Sequence, residues 1–438
     1  MNASGQIGLT SNEYRDALVF LAGEEGYALL ATASALPEDR LVRITTLRRK
    51  HPPEIVQVAV EQLELRRRAK AKFSNAASMF FTPEGLEQST SESIAEFRAS
   101  RFPLNAPILD ACCGIGGDAI ALSRRAKVLS VDFDPAVAFC AQRNALLSHE
   151  EAGARSQIEV LCADAVSLDL AELRKSDVQF AFFDPSRRAD SRAGGRKRVA
   201  DSRDYSPPLN WTTQLREHFA GTAVKVSPAI DDETLLAMGG RVEFISDRGE
   251  CKEAVLWFDE LARDFPSLPP ISYEMRGFQT DAKYSATLLR PETPPVTLQP
   301  FECSPILLSE PQEWLYEPDP AVIRAHLLPE LGGILGAALI DFSIAYMTAP
   351  KVIETPFASS YKIIETLPFN LKLIQAKLRQ LGGKITVVKK RGVIHEPDQV
   401  RKSLKPCGEA EFTLVLTHRG EKQIAMICEP RNKTQNQS

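Results

Sequence analysis

The chain has 438 residues, of which 44% are hydrophobic, enough to bury a sizeable core and to form two or three domains. Its formal net charge is −4, so a nucleic-acid partner would need a local basic patch rather than the charge of the whole chain. No apolar run reaches the roughly 18 residues of a membrane helix, and the N-terminus lacks the regions of a signal peptide, which favours a cytoplasmic location and no membrane partner. The eight cysteines form no C-x-x-C pair and no His lies at ligand spacing, so no metal site is expected.

The first half of the chain changes its hydrophobic period near residue 100. Residues 1–100 are predicted to be helical, because apolar residues recur at spacings of three and four and Pro52 and Pro53 open one helix. Beyond them, short β-branched runs alternate with helical segments, which is typical of a parallel sheet with crossover helices in residues 101–262. The runs read as strands are 128–133, 158–164, 178–184 and 222–227.

The second half is predicted to contain an edge hairpin, a linker and a separate domain. Residues 241–246 and 253–258 are close enough in sequence to form an antiparallel hairpin at one edge of the sheet. Proline-rich residues 263–300 suggest a linker around a small strand pair. A mixed α+β domain is expected at 301–425, with helices near 319–337 and 369–382, followed by a disordered tail at 426–438.

The stretch "DACCGIGGD" has the order of a nucleotide-binding crossover. Asp110 ends an apolar strand, three glycines follow it, and a helix begins at Asp118. The spacing G-x-G-G differs from the dinucleotide pattern G-x-G-x-x-G, and the two carboxylates would repel a phosphate. They suit a cationic ligand with hydroxyls and an amino group, such as S-adenosylmethionine (SAM).

Three further carboxylates follow at the ends of the next predicted strands. Asp132 lies 18 residues past Gly114, where a carboxylate can accept both hydroxyls of a ribose. Asp164 is placed to meet an adenine amine, although a plain helix cap explains it as well. Asp184 ends the fourth strand. Because ligands of doubly wound sheets bind at the carboxyl ends of the strands, the series predicts one SAM site and argues against a binding protein without chemistry.

These motifs resemble a known family. "DACCGIGGD", "SVDFDP" and "FFDPSRR", with "MFFTPEGLEQSTSESIAEFRASRF" before them, resemble bacterial class I SAM-dependent methyltransferases that carry a THUMP-like C-terminal domain and are distantly related to trimethylguanosine synthases. "YEPDPAVIRAHLL", "ASSYKIIETLPFNLKLIQAKL" and "VVKKRGV" resemble the THUMP-like module, and the likeness covers about residues 70 to 425. The resemblance implies a Rossmann-like core and SAM as cofactor. It places Asp110, Gly114 and Gly116 along the SAM site, Asp132 at the ribose and Asp164 at the adenine. THUMP domains bind RNA, so RNA is the expected partner by analogy.

The end of the fourth strand indicates which atom is methylated. Asp184-Pro185-Ser186-Arg187 stands where amine methyltransferases carry Asn/Asp-Pro-Pro-aromatic. The Asp184 carboxylate and the carbonyl of Asp184 or Pro185 can accept the protons of an exocyclic amine, so Asp184 and Pro185 are the predicted catalytic residues. Ser-Arg departs from the pattern, although an Arg can also stack on a base. Methylation at a pyrimidine carbon needs a Cys nucleophile, which neither "DPSRR" nor "KVSPAI" supplies.

Other acceptors stay open at this point. Ribose 2′-O-methylation commonly uses a Lys-Asp-Lys-Glu set, for which the candidates here are Asp184, Lys225 and Glu253 with Lys72. Lys225 can instead be a buried lysine paired with a carboxylate. A protein or small-molecule acceptor would require a closed apolar pocket over Asp184.

A basic run next to the predicted active site favours RNA. Residues 187–203 carry seven Lys or Arg against two Asp, so Arg187, Arg188 and Arg196 are predicted to contact an RNA backbone. Tyr205 is predicted to stack on a base, with packing of the loop as the alternative. "KKR" at 389–391 adds a second basic point, or else a charged turn.

Overall fold

A computed structural model describes residues 8–150, 157–187, 205–263 and 283–430. The chain divides into two compact units, one made of Met1–Gly240 with Val255–Pro266 and the other of Arg241–Ala254 with Ser267–Ser438. None of the helices in the described ranges combines the length and the hydrophobicity of a membrane-spanning segment.

The first unit begins with a helical region, as predicted. The helix α1 starts with a capping box in which Thr10 and Glu13 satisfy each other's backbone N–H groups, and α4 starts at Pro53 and ends in basic residues. Apolar faces of these helices form one core that also contains Ile115 and Cys140. The helices are α1 (Ser11–Leu21), α2 (Glu24–Ala35), α3 (Arg40–Leu47), α4 (Pro53–Ala69), α5 (Pro83–Gln88) and α6 (Glu92–Ser100).

A parallel sheet with crossover helices follows, which confirms the predicted class of fold. Its strands within this unit run in the order β7-β4-β1-β2-β3, and each of these neighbouring pairs is parallel. The order reverses between β1 and β4, and this switch point is where ligands bind in open α/β sheets. The strands are β1 (Ile108–Ala111), β2 (Val128–Asp132), β3 (Ile158–Cys162), β4 (Phe180–Phe183) and β7 (Gly221–Val226). The helices are α7 (Gly117–Ser123), α8 (Pro135–Glu150), α9 (Leu170–Lys175), α10 (Thr212–His218) and α11 (Asp232–Met238). A two-residue pair, β5 (Ser186–Arg187) and β6 (Tyr205–Ser206), follows β4.

The predicted hairpin forms, since residues 241–247 and 250–259 are neighbouring strands of the sheet, but it does not lie at the edge. In the second unit, β10 (Lys283–Arg290) pairs in parallel with β8 (Arg241–Asp247), and β11 (Thr293–Leu298) pairs antiparallel with β10. The edge pair is therefore β10–β11 from the predicted linker, while β9 (Glu250–Asp259) follows β8 on its other side. Pro294 and Pro295 lie in β11, an edge strand, where a missing ladder N–H is tolerated.

The second unit also contains a seven-stranded sheet in the order β13-β14-β12-β15-β18-β17-β16. Alternation along β17 shows its two faces, because Leu414 and Leu416 pack with α14 and α15 whereas Val415 packs in a core on the opposite side. The strands are β12 (Trp314–Pro318), β13 (Ala338–Asp341), β14 (Ile344–Ala349), β15 (Ala358–Pro368), β16 (Gly383–Lys390), β17 (Ala410–Arg419) and β18 (Lys422–Cys428). The helices are α12 (Pro320–Arg324), α13 (Leu328–Leu335), α14 (Leu371–Leu381) and α15 (Pro397–Ser403).

Two boundaries in this unit differ from the prediction. The expected helix at 319–337 is split into α12 and α13, because His326 adopts φ +58° between them. The predicted tail at 426–438 starts too early, since residues 426–428 complete β18 and pair with β15 and β17. Residues 431–438 lie outside the described part of the chain.

Candidate cofactor and active site

The loop between β1 and α7 needs glycine at two positions for different reasons. Gly114 has φ +55°, and a Cβ there would meet no atom within 4 Å, so its face is open to a ligand. Gly116 has φ +84°, and a Cβ there would lie 3.2 Å from the Cα of Ala141 in α8. The first glycine therefore leaves room for close approach to the backbone, and the second lets two helices pack closely.

The helical region holds this loop from behind, a support that the sequence did not reveal. The Asn144 amide accepts a hydrogen bond from Phe80 N at 2.8 Å and donates to the carbonyls of Phe80 and Ile115, both at 2.9 Å. Gly85 in α5 lies against Ile115, where an added Cβ would come within 2.5 Å of its side chain. The N-terminal helices therefore shape the glycine loop.

Asp132 lies at the end of β2 and faces the glycine loop. One carboxylate oxygen accepts from Gly114 N at 3.1 Å, and the other accepts from Asp134 N at 3.0 Å. Burial raises the pKa of Asp132 to about 6, although these backbone hydrogen bonds oppose the rise. A carboxylate held in this way can accept hydrogen bonds from two further hydroxyls, which suits the ribose role predicted for it.

The end of β3 supplies a partly apolar patch beside a capping carboxylate. Asp164 Oδ1 accepts from Val166 N at 3.1 Å and caps a short 3-10 turn, as the structural alternative for this residue predicted. Next to these strand ends, Phe133 is 71% exposed and Val166 is 44% exposed. Exposed apolar side chains flanking a hydrogen-bond acceptor would fit the faces and the amine of an adenine. Neither Phe133 nor Val166 was a sequence-based candidate.

Asp110 and Asp118 have different surroundings, which corrects one inference from the sequence. Asp118 forms a buried ion pair with Arg98, whose guanidinium lies 4.5 Å from the centre of the Phe182 ring, so Asp118 is not available to a cationic ligand. Asp110 is fully buried, and neither carboxylate oxygen has a hydrogen-bond partner in the described part of the chain. Burial, together with Asp118 and Asp184, raises the pKa of Asp110 well above its usual range. This orphaned acceptor at the switch point is the kind of group that a cationic ligand would satisfy.

Asp184 lies beside Asp110, one strand away, and is paired with a lysine. Its backbone N–H donates to Ala111 O at 3.2 Å, which joins the ends of β4 and β1. Lys225 Nζ from β7 lies 2.6 Å from Asp184 Oδ2, and the two side chains are only 15% and 25% exposed. Burial raises the pKa of Asp184, and the Lys225 charge opposes that rise. Pro185 is buried, and the Ser186 hydroxyl donates to Ser206 O at 3.1 Å, so the segment after Asp184 is held in place.

Other candidate residues lie elsewhere or have other partners. The Lys72 amine donates to the carbonyls of Leu86 and Ser89 at 2.7 and 2.6 Å and so closes the end of α5. This set of bonds gives Lys72 a structural role. Burial and nearby carboxylates raise the pKa values of the Cys112 and Cys113 thiols. Neither thiol is therefore activated as a nucleophile.

The predicted RNA contacts are only partly described. Arg187 is exposed in β5, whereas Arg188 and Arg196 lie outside the described residues. Tyr205 is 3% exposed, and its hydroxyl accepts from Ser227 N at 2.9 Å. The prediction that Tyr205 stacks on a base is therefore wrong, and the alternative, that its side chain packs the loop, is correct. Within the described ranges, no cluster of three or more His, Cys, Asp or Glu is arranged to hold a metal ion.

The raised pKa of Asp132 predicts pH-dependent cofactor binding. Above pH 6 the carboxylate is mostly ionised and can accept hydrogen bonds from two hydroxyls. Below pH 6 it is mostly protonated and accepts fewer hydrogen bonds. We expect the dissociation constant for SAM, measured by calorimetry, to be constant from pH 6.5 to 7.5 and to rise up to about tenfold per pH unit below pH 6. Asp132→Asn should bind weakly and lose the pH dependence. A wild-type constant that is flat from pH 5 to 7 would contradict this role.

The two glycines predict opposite responses to alanine. Gly116→Ala should lower the free energy of unfolding by more than Gly114→Ala. Both substitutions place alanine at a positive φ, which costs about 1 to 2 kcal/mol, but only the methyl at position 116 would also crowd Ala141. Gly114→Ala should instead weaken SAM binding more, since its methyl enters the open side of the loop. Urea unfolding and calorimetry measure both quantities. Equal losses of stability would mean that the Gly116 contact does not matter.

The chain is similar to a THUMP-like domain family and to proteins named as methyltransferases. Residues 358–430 match a family model described as THUMP domain-like, and residues 14–69 match a domain of unknown function. Two Mycobacterium tuberculosis proteins, from strains CDC 1551 / Oshkosh and ATCC 25618 / H37Rv, are named uncharacterized S-adenosylmethionine-dependent methyltransferases. Each is 28% identical over 386 residues, covering 85% of this chain and 96% of the relative. A crystal structure of a putative methyltransferase from Porphyromonas gingivalis W83 has a TM-score of 0.69 at 18% identity and covers 96% of this chain and 98% of its own. The predicted resemblance is confirmed.

Proposed function

We propose that this chain, a homologue of SAM-dependent methyltransferases with a THUMP-like C-terminal domain, methylates an exocyclic base amine of guanine or adenine in RNA. The observation that carries the proposal is the Asp184 carboxylate, held by Lys225 at the switch point next to the orphaned Asp110. SAM, when bound, supplies an electrophilic methyl group.

The cofactor side of the proposal rests on five residues. Asp132 would accept hydrogen bonds from the ribose hydroxyls, and Asp164 would accept one from the adenine amine. Asp110 would face the cationic part of the ligand, whose charge favours the ionised carboxylate over the protonated form. Gly114 would let the loop backbone approach the ligand, and Gly116 would hold the loop close to α8. This assignment is supported by the buried, unpartnered oxygens of Asp110 and by the open space at Gly114.

Asp184 and Pro185 are proposed to orient the amine. An exocyclic amine attacks through its nitrogen lone pair only when its N–H bonds point to acceptors. Lys225 occupies Asp184 Oδ2, which leaves Oδ1 and the carbonyls of Asp184 and Pro185 as acceptors. Arg187, exposed two residues after Pro185, is placed to stack on or pair with an RNA nucleotide.

A second candidate is ribose 2′-O-methylation, and the 2.6 Å contact between Lys225 and Asp184 favours it, because a Lys-Asp pair belongs to such sites. The use of Lys72 as a cap of α5 argues against a complete set of four residues. The amine acceptor therefore has the better support.

Isotope labelling tests these alternatives together. The purified protein is incubated with methyl-labelled SAM and total RNA from a strain that lacks its gene, and the RNA is digested to nucleosides. Label in an N-methylated guanosine or adenosine is the expected result, and label in a 2′-O-methyl nucleoside would assign the second candidate. If SAM binds and no RNA nucleoside is labelled, the acceptor is a protein or a small molecule and the RNA proposal is wrong.

A further inference from the structure

The helical region contains a groove that is separate from the residues described above. It lies between α2, α3 and α4, within residues 27–77 of the first unit, and its volume is about 890 Å³. We call it the N-terminal groove and define it by the lining residues used here: Tyr27, Arg40, Arg43, Arg66, Arg67 and Lys70.

Positive charge exceeds negative charge along this groove. Five of its lining side chains are Lys or Arg, and the carboxylates among the lining residues are Glu38 and Glu64. Arg40 lies 3.4 Å from Glu64. In the described ranges of the chain, no carboxylate forms an ion pair with the other four cations of the groove, so their charge is available to an anion.

Two of these arginines also have buried donors without an acceptor. Arg43 donates through Nη2 to Leu36 O at 3.1 Å, and Arg66 donates through Nε to Met79 O at 2.9 Å. Arg43 Nε and Arg66 Nη2 are buried and have no hydrogen-bond partner within the described residues. Buried charged donors are normally satisfied, so these point to an acceptor that arrives with a ligand.

Aromatic and apolar side chains also line the groove. Tyr27 is 41% exposed, and its ring stands edge-on to Phe80 with 6.4 Å between the ring centres. The Arg66 guanidinium lies 5.0 Å from the centre of the same Phe80 ring, which orients both lining side chains. Proteins that bind single-stranded nucleic acid combine cations with exposed aromatic rings in one groove, as the lining here does.

We propose that the N-terminal groove binds a single-stranded segment of the RNA substrate, with Arg43, Arg66, Arg67 and Lys70 on its phosphates and Tyr27 stacked on a base. The proposal rests on RNA being the substrate. A groove of about 890 Å³ with four available cations suits successive nucleotides better than one small anion.

The test compares two variants of the whole 438-residue chain that lose the same charge. In the groove variant, R43Q/R67Q/K70Q, Arg66 is kept because it also supports the fold. The control variant, R48Q/R49Q/K50Q, removes three charges from exposed residues that do not line the groove. Binding of a fluorescein-labelled 20-nucleotide single-stranded RNA is measured by anisotropy from 50 to 300 mM KCl, and calorimetry with S-adenosylhomocysteine checks that the cofactor site is intact.

We expect the groove variant to bind RNA at least tenfold more weakly at 100 mM KCl. The slope of log K against log[KCl] should fall by up to about 2, since each lost phosphate contact contributes about 0.7 on a single strand. The control variant should stay within about threefold of wild type. Tyr27→Ala should weaken binding without changing the slope, because stacking releases no counterions.

The failures of the two proposals are distinguishable. If wild type binds and methylates RNA while the groove and control variants bind equally well, the groove inference is wrong and the proposed function stands. If wild type neither binds nor labels RNA, both are wrong. A calorimetric titration with inorganic phosphate alone covers the remaining source of phosphate. Phosphate binding that is lost in the groove variant, with RNA affinity unchanged, would assign the groove to a small anion and overturn the proposal.

Discussion

Asp184→Ala should reduce methyl transfer to RNA at least about a thousandfold, or about 4 kcal/mol in the barrier, while Asp184→Asn should keep much of the activity. An amide oxygen can still accept a hydrogen bond from an amine N–H, so the Asn side chain can orient the nitrogen. It cannot take a proton from a ribose hydroxyl, so both variants would be inactive if Asp184 acted as a base for 2′-O-methylation. The pair of substitutions thus separates the two candidate reactions.

Single-turnover transfer from labelled SAM into unmethylated RNA measures this effect. Asp184→Ala removes the carboxylate that faces the partly buried Lys225 charge, which destabilises the site. The double variant Asp184→Ala/Lys225→Met removes that charge and serves as the control for stability. Both must bind S-adenosylhomocysteine with nearly wild-type affinity. Full activity in Asp184→Ala would exclude Asp184 from the mechanism.

Asp132→Ala should weaken SAM binding on the order of a hundredfold or more, which corresponds to about 3 kcal/mol. The substitution removes a carboxylate that would accept two ribose hydroxyls, and hydrogen bonds to charged groups contribute about 1.5 to 3 kcal/mol each. It also removes the acceptor for Gly114 N, so part of the loss comes from a less ordered glycine loop.

Calorimetry with two ligands separates these parts. The ribose contribution is present for S-adenosylhomocysteine and absent for methionine, whereas a disordered loop would weaken the binding of both. Asp169→Ala is the matched control, because Asp169 caps α9 through Glu172 N and lies outside the site. Equal affinity of wild type and Asp132→Ala for S-adenosylhomocysteine would refute the ribose assignment.

The sequence predicted the placement of those candidate residues that depend on local signals. Asp110, Asp132 and Asp184 each stand at the end of a short apolar strand, and parallel strands bring their ends to one edge of the sheet. The hydrophobic period and the order of the strands were therefore sufficient to place the three carboxylates together. The glycines of the loop were recognisable because a turn between a strand and a helix restricts the backbone.

Contacts between distant segments were not predictable in this way. Asp118 was taken as a ligand because nothing near it in sequence reveals Arg98, its partner 20 residues earlier in another helix. Tyr205 looked like an exposed aromatic in a polar loop, and only the fold brings its hydroxyl to Ser227 N. The prolines of β11 suggested a linker because their pattern cannot distinguish an edge strand from an extended connection.

The hydrogen bonds of Asn144 have a consequence for local unfolding. One side chain holds both the backbone of Phe80 and the carbonyl of Ile115, so the segment before α5 and the glycine loop cannot open independently. The two should exchange their amide hydrogens as one cooperative unit, with similar protection. Removing the first hundred residues would take away Phe80 and the apolar core around Ile115, so the glycine loop should exchange its amide hydrogens faster than in the whole chain. Experiments on the loop should therefore keep the first hundred residues in place.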